Sequence, residues 1–331
     1  MNGHGQGRGR GRPTLEDVAL RAGVGRGTVS RVVNGSPKVS GRTRAAVEAA
    51  VAELGYVPDR AARALAAGRA GAVALVLPGP QSPCLAEPGF SGVLRGAAET
   101  LAGAGVQLVL ILGGGVPRPA GPRVDGVLLL SPQPGDPPPG VPAVAGGPGA
   151  AAGTLPSVDC DHLGGAAGAV RHLLGRGRRE IAAIAGPPQE YGARRRLEGY
   201  RQALAAAGHP ADERLVAVGD LTEDGGRRAM RELLERRPAL DAVFAASDLL
   251  AAGALRELRA AGRRVPQDVA VVGFGDSEPA RYLDPPLTSV RAPAEELGRT
   301  MARLLLARIS GGGTEEAEIV LPTELIVRGS T

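Results

Sequence analysis

Apolar residues along this chain follow two regimes: helical spacing up to about residue 66, then short apolar runs alternating with helical stretches from Ala72 onward. In the first regime Val18, Ala19 and Ala22 share one face of a predicted helix. Thr14 is a good N-cap for it, and Asp17, three residues on, completes a capping box. Gly23 stands where a tight interhelix turn needs a residue without a Cβ penalty. A second short helix turns Val29, Val32 and Val33 inward and leaves Arg26, Gly27, Thr28, Ser30 and Arg31 on its outward or N-terminal side. Ser40 can cap a third helix, in which Val47, Ala50, Val51 and Leu54 recur at i, i+3, i+4 and i+7, with Gly55 as its stop. Residues 15–34 thus carry a helix-turn-helix pattern inside an all-α segment.

In the second regime, 72–78, 106–112, 124–130 and 142–145 read as buried parallel strands. Helices fit near 90–104 and 161–176. A second set of strands follows at 180–186, 214–219, 241–247 and 268–274, with helices near 193–207, 223–236, 248–261 and 293–310. Alternation of this kind predicts an α/β core of two doubly wound subdomains. Ligands of open α/β sheets bind beyond the carboxyl ends of the strands, so a cleft between two such halves is the expected ligand site. Residues 1–13 are rich in Gly and Arg without apolar periodicity. They read as a disordered basic arm whose Arg8, Arg10 and Arg12 add phosphate contacts, or as a tail with no role.

Charge sharpens this division. Residues 1–70 hold twelve Arg or Lys and five Asp or Glu, a net of +7, whereas the remaining 261 residues hold 27 and 29, a net of −2. A polyanion would therefore dock on the first seventy residues. Cys84 and Cys160 lie far apart and form no CxxC, which fits two free thiols in a reducing compartment. The start has no apolar stretch of the signal-peptide kind, and no run approaches the roughly 20 residues needed to span a bilayer. A cytoplasmic protein with no membrane partner is expected. No P-loop, HExxH, paired-Cys zinc spacing or GxSxG is present, and His4, His162, His172 and His209 are scattered, so no metal site, cofactor or catalytic residue is assigned.

A helix fits the DNA major groove with its N-terminal residues at base edges. Arg26 can donate two hydrogen bonds to guanine, a pair that discriminates by roughly 1–3 kcal/mol. Thr14, Asn34, Ser40, Thr43 and Tyr56 are placed to donate to phosphates, which fixes register without reading sequence.

The run TLEDVA, TVSRVVNG, VS, TR, ELGY, P and LA, about fifty residues ending near Ala66, resembles the LacI/GalR family of bacterial transcriptional repressors. The resemblance implies a hinge helix after the bundle that folds when a dimer binds DNA. Arg60 and Ala62 would contact DNA from that helix, Leu65 would be wedged into the minor groove at a central CG step, and Ala66 would be its neighbour. An apolar wedge unstacks and kinks the duplex at a cost of a few kcal/mol. Asp59 stands where the family usually has Asn, an acid that faces phosphate less comfortably but can cap the hinge helix. Later pieces, among them VDCD at 158–161, RLEGY at 196–200, Ser247-Asp248, VPQDVAVVGF at 265–274 and PPLTSV at 285–290, resemble the same family's effector core, which is related to periplasmic sugar-binding proteins.

By that resemblance the expected domains are the arm 1–13, a DNA-binding domain 14–58, a hinge 59–70 and a core 71–331. The first subdomain would span about 71–175 plus 293–313, the second about 178–290 plus 318–331. Arg196 would grip the ligand's polar groups, with Ser247 and Asp248 nearby. Three departures stand out. Crossovers 113–123 and 131–141 are too rich in Pro and Gly for the family's helices, so the first half should have a partly uncovered sheet face, or one that a partner covers. Gly147 and Gly275 stand where sugar-binding members carry aspartates, although Asp276 is adjacent. Leu221 stands where an aromatic often stacks on the sugar, leaving Phe90 and Tyr191 as candidate walls. An ordinary hexose is thus less expected than for a typical member. The expected protein is a homodimeric regulator of a pseudo-palindromic operator, most often a repressor in this family, controlled by a small-molecule effector. The alternatives are a regulator that has lost ligand control, and a small-molecule binding protein or enzyme on the same core, which would leave residues 14–66 unexplained.

Overall fold

The computed structural model describes residues 13–33, 36–56, 70–77, 89–112, 123–131, 140–147, 155–209, 212–312 and 318–331. The chain divides into two compact units, Met1–Ala70 and Gly71–Thr331.

In the first unit, helices α1 (Leu15–Ala22), α2 (Arg26–Val33) and α3 (Gly41–Leu54) pack around Val18, Val29, Val32, Val47 and Ala50. Both halves of the capping box at Thr14 and Asp17 are made, and Gly23 and Gly55 end α1 and α3 in the left-handed conformation that glycine adopts without strain. Arg21 joins α1 to α3 through Glu53, with contacts of 3.0 and 2.5 Å.

Among the described residues the second unit holds two six-stranded sheets. The first contains β1 (Ala72–Leu77), β2 (Gln107–Leu112), β3 (Gly126–Leu130), β4 (Ala143–Gly146), β5 (Ser157–Cys160) and β11 (Glu318–Leu321). All its pairs are parallel, in the order β11-β5-β4-β3-β1-β2. Leu75 of the fully buried β1 faces Leu110 on one side and Leu128 on the other. Helices α4 (Gly89–Gly103) and α9 (Ala294–Ile309) cover one face. The opposite face buries Ala74, Val76, Val127, Leu129 and Ala143, and its described members all come from strands and adjoining loops. On edge strand β2, Leu110 and Leu112 are 42% and 46% exposed. Most of the two short crossovers lies outside the described residues.

The second sheet contains β6 (Ile181–Ala185), β7 (Val216–Val218), β8 (Ala242–Ala245), β9 (Ala270–Gly275), β10 (Thr288–Arg291) and β12 (Glu324–Ile326), in the order β12-β10-β9-β8-β6-β7. Among the described strands of this sheet only β12 runs antiparallel. Helices α5 (His162–Gly175) and α6 (Tyr191–Ala206) pack with one face, and α7 (Glu223–Arg236) and α8 (Asp248–Ala260) with the other. Among the described residues no helix is long and apolar enough to cross a membrane.

Two expected boundaries move. Helix α5 was expected in the first half, but Ala166, Ala169, Val170 and Leu173 pack against Ile181, Tyr200 and Phe274 of the second. The chain therefore crosses at Asp161, whose carboxylate caps α5 by accepting from the Gly164 amide at 2.7 Å. Residues 318–321 were expected in the second half, yet β11 pairs with β5, so the last crossing falls at Pro322–Thr323. Extending the first sheet satisfies the backbone groups on the open side of β5. The first and last crossings touch: the Asp161 amide donates to Leu321 O at 2.9 Å, and Thr323 Oγ1 donates to Asp161 O at 3.3 Å.

Candidate functional site

The helix-turn-helix unit presents its polar residues unevenly. Arg26, Gly27 and Arg31 of α2 are exposed, while Thr28 and Ser30 are half-buried. Arg26 pairs with Glu16 of α1 at 3.1 Å, with both side chains more than half exposed. Such a contact is worth little in water and leaves the guanidinium available to a polyanion. Thr14 Oγ1 donates to Asp17 Oδ2 at 2.7 Å, so its proton is already committed to the capping box. Ser40 Oγ accepts from the Thr43 amide, and the two hydroxyls lie 2.9 Å apart. Tyr56, expected as a phosphate donor, is 8% exposed with its ring in the bundle core, so at most its hydroxyl serves that purpose. Asn34, Arg60, Ala62, Leu65 and Ala66 lie outside the described residues.

In the second unit one cluster forms where the chain first crosses between sheets. Strand β5 ends in Asp159-Cys160, α5 begins with His162, α6 supplies Tyr191 and Arg196, and β9 supplies Phe274. The Arg196 guanidinium carbon lies 4.3 Å from the Phe274 ring centroid, a cation–π contact. Its Nε donates to His162 Nδ1 at 3.2 Å and one terminal nitrogen, Nη1, to Ala246 O at 2.6 Å. His162 Nε2 lies 3.3 Å from Asp159 Oδ1, and the two side chains are 13% and 12% exposed. The His162 ring also meets Tyr191 edge-on at 6.5 Å and Phe274 at 5.8 Å. Burial pushes the Cys160 thiol up to about 12 and raises the Tyr191 phenol, so both stay protonated at neutral pH.

The other expected ligand residues have different work. The Asp276 side chain is 1% exposed and held by Arg291 at 2.9 Å and Arg328 at 2.5 Å, so its carboxylate is already paired. Asp248 accepts from Ser289 Oγ at 2.5 Å and the Ser277 amide at 2.6 Å, and burial raises its pKa. Ser247 caps α8 through the Leu250 amide. Leu221 is 4% exposed among the core residues under α7 and α8, so it does not form an open platform in place of the aromatic. It holds φ at +62°, a strained setting for a bulky residue. Phe90 packs against the core of the first sheet. Of the seven expected ligand residues, Arg196 and Tyr191 therefore meet in one cluster, joined by Phe274, His162 and Asp159, which were not expected. The available signal was VDCDH, a strand ending at a crossover.

Comparison with known proteins places both units. Residues 14–59 match a family model described as bacterial regulatory proteins, lacI family, and residues 170–331 one described as a periplasmic binding protein-like domain. The chain is similar to the HTH-type transcriptional regulator CelR of Thermobifida fusca, 52% identical over 96% of this chain and 98% of that one. Among solved structures it is similar to a complex of the transcriptional regulator CelR with cellobiose, at 49% identity and a TM-score of 0.72 over 97% and 100% of the chains. It is also similar to the lac repressor dimer bound to operator and an anti-inducer, at 29% identity and a TM-score of 0.82 over 97% and 99%.

Proposed function

The chain belongs to the lacI family of bacterial regulatory proteins and is a DNA-binding transcriptional regulator under ligand control; we propose that it is a cytoplasmic repressor that binds a pseudo-palindromic operator as a homodimer and takes a short saccharide of the cellobiose kind in its core. The observation that carries this reading is the full-length similarity to CelR, at 52% identity, together with the CelR–cellobiose complex. The DNA side is supported by the basic first seventy residues and the open guanidinium of Arg26.

Arg196 is the ligand-gripping residue in this reading. Its Nε and Nη1 are occupied, and among the described residues its other terminal nitrogen, Nη2, has no hydrogen-bond partner, leaving donors for a sugar hydroxyl. Half-buried Tyr191 supplies an aromatic surface nearby, while Phe274, buried under the guanidinium, backs Arg196 without meeting the ligand. Gly147 and Gly275, standing where sugar-binding members carry aspartates, weigh against an ordinary hexose. Leu65 is the hinge wedge that the family resemblance implies, and Leu65→Ala weakens specific binding while sparing nonspecific binding.

The test is selection of bound duplexes from a random pool, followed by titration of the selected operator with cellobiose, maltose and glucose. The expected outcome is a pseudo-palindrome with a central CG step, whose affinity changes roughly 5- to 150-fold with cellobiose, the usual range of allosteric coupling. Recovery of no consensus, with affinity falling steeply in salt, overturns specific recognition. A consensus that no saccharide perturbs overturns the ligand assignment.

A further inference from the structure

We propose that His162 is a positioning residue of the ligand site: as a neutral imidazole protonated at Nε2, it fixes the Arg196 guanidinium on the Phe274 face and ties it to Asp159 at the first crossover. The inference rests on Arg196 gripping the ligand.

A guanidinium has only donors, so the Nε donation from Arg196 requires an unprotonated Nδ1. A neutral ring then carries its proton on Nε2, the nitrogen 3.3 Å from Asp159 Oδ1. Three elements are joined in one line: β5 of the first sheet through Asp159, the first residue of α5 through His162, and α6 through Arg196. Ala246 O, just before α8, holds a second edge of the guanidinium, so Arg196 is fixed from two sides over Phe274.

Gly192 on α6 makes room for this. A Cβ there would lie 3.1 Å from His162 Cε1, 3.2 Å from Nε2 and 3.3 Å from Arg196 Nη2. Any side chain at 192 would crowd both partners at once.

The same atoms suggest a metal site, since donor atoms of Asp159, Cys160 and His162 lie within 4.8 Å of one another. Nitrogen chemistry argues against it. Nε2 carries its proton toward Asp159, and Nδ1 is taken by Arg196. A cation would have to displace the guanidinium that the ligand site needs.

The experiment compares wild type with His162→Leu and His162→Gln in the full-length protein. Cellobiose affinity is measured by calorimetry, with operator affinity and thermal midpoint in parallel. Nitrogen NMR of the histidine rings reports the tautomer, with His162 assigned by its loss in the variants. We expect an unprotonated Nδ1 and a protonated Nε2, cellobiose affinity weakened roughly tenfold or more in His162→Leu, and substantial recovery in His162→Gln, which retains one acceptor and one donor. Ligand-free operator affinity should hold across all three. Wild-type affinity in His162→Leu, or a protonated Nδ1 in neutral wild type, overturns the proposal. Should the wild type itself not bind cellobiose, the ligand assignment fails, while the tautomer still decides whether His162 holds Arg196 as inferred. Should His162→Leu fail to fold, His162→Gln and the tautomer decide.

Discussion

Arg291 Nε lies 2.9 Å from Asp276 Oδ2, and the carboxylate it meets is 1% exposed. Arg291 is the last residue of β10, immediately before the chain crosses back to the first sheet. Arg328, the second partner of Asp276 at 2.5 Å, follows the last crossing. A residue whose position pointed to ligand hydroxyls instead binds the segments at two crossovers. Removing its charge leaves two guanidinia facing a neutral group. Asp276→Asn is expected to cost about 1–3 kcal/mol, because Arg328 is left largely buried while Arg291, 43% exposed, keeps Glu324 at 3.1 Å. Urea denaturation of the core measures it, and an unchanged midpoint would show the carboxylate to be dispensable for folding.

Helices α4 and α9 approach until only glycine fits between them. A Cβ on Gly96 would lie 2.0 Å from Glu295 O, and one on Gly298 would lie 2.0 Å from Val93 O. Backbone cannot yield as a flexible side chain can, so Gly298→Ala is expected to cost about 1–3 kcal/mol by forcing the helices apart. Gly103, the last residue of α4, has open space around its Cβ position, and Gly103→Ala is expected to be neutral or stabilising. Thermal midpoints that fail to separate the two variants would rule out the close approach.

Arg26→Ala is expected to relax preference at one base pair per half-site by about 1–3 kcal/mol, leaving other positions unchanged. The loss of Glu16 as partner has little effect on folding, because that pair is exposed. Repeating the duplex selection with the variant reads this directly; a uniform loss at every position would assign Arg26 to phosphate instead.

His172 links its Nε2 to Thr331 Oγ1 at 2.9 Å, beside Arg176, which donates to Thr331 O. Burial first, then the Arg176 charge, lowers its pKa below the ordinary value. The unfolded chain therefore takes up a proton before the folded one does. This contribution to stability is fully present above about pH 6.5, the unfolded value, and is lost as pH falls toward the depressed folded value. The urea midpoint should drop less between pH 7.5 and 5.5 in His172→Gln than in wild type, and an equal drop would place the titration elsewhere.

The sequence by itself determined the family, the helices and eight of the twelve described strands; β5, β10, β11 and β12, three or four residues each, are too short to show an apolar run. The capping box at Thr14 and Asp17, the glycines ending α1 and α3, and the alternation of apolar runs with helical stretches are all written in neighbours a few residues apart. Short-range sterics and hydrogen bonds act over that distance. Which partner a polar side chain meets is set across the fold. Asp276 meets Arg328 from 52 positions away, Arg196 meets His162 from 34, and Asp161 meets Thr323 from 162. Spacing carries no trace of such pairs, because they exist only once the strands have fixed their order. The same holds for Tyr56 and Leu221, whose sequence positions suggested contact with DNA or ligand and whose packing buries them. Tertiary structure alone decided which carboxylates were spent on arginines, on which side of the first crossing α5 would lie, and that a histidine would stand between an aspartate of one sheet and an arginine packed on the other.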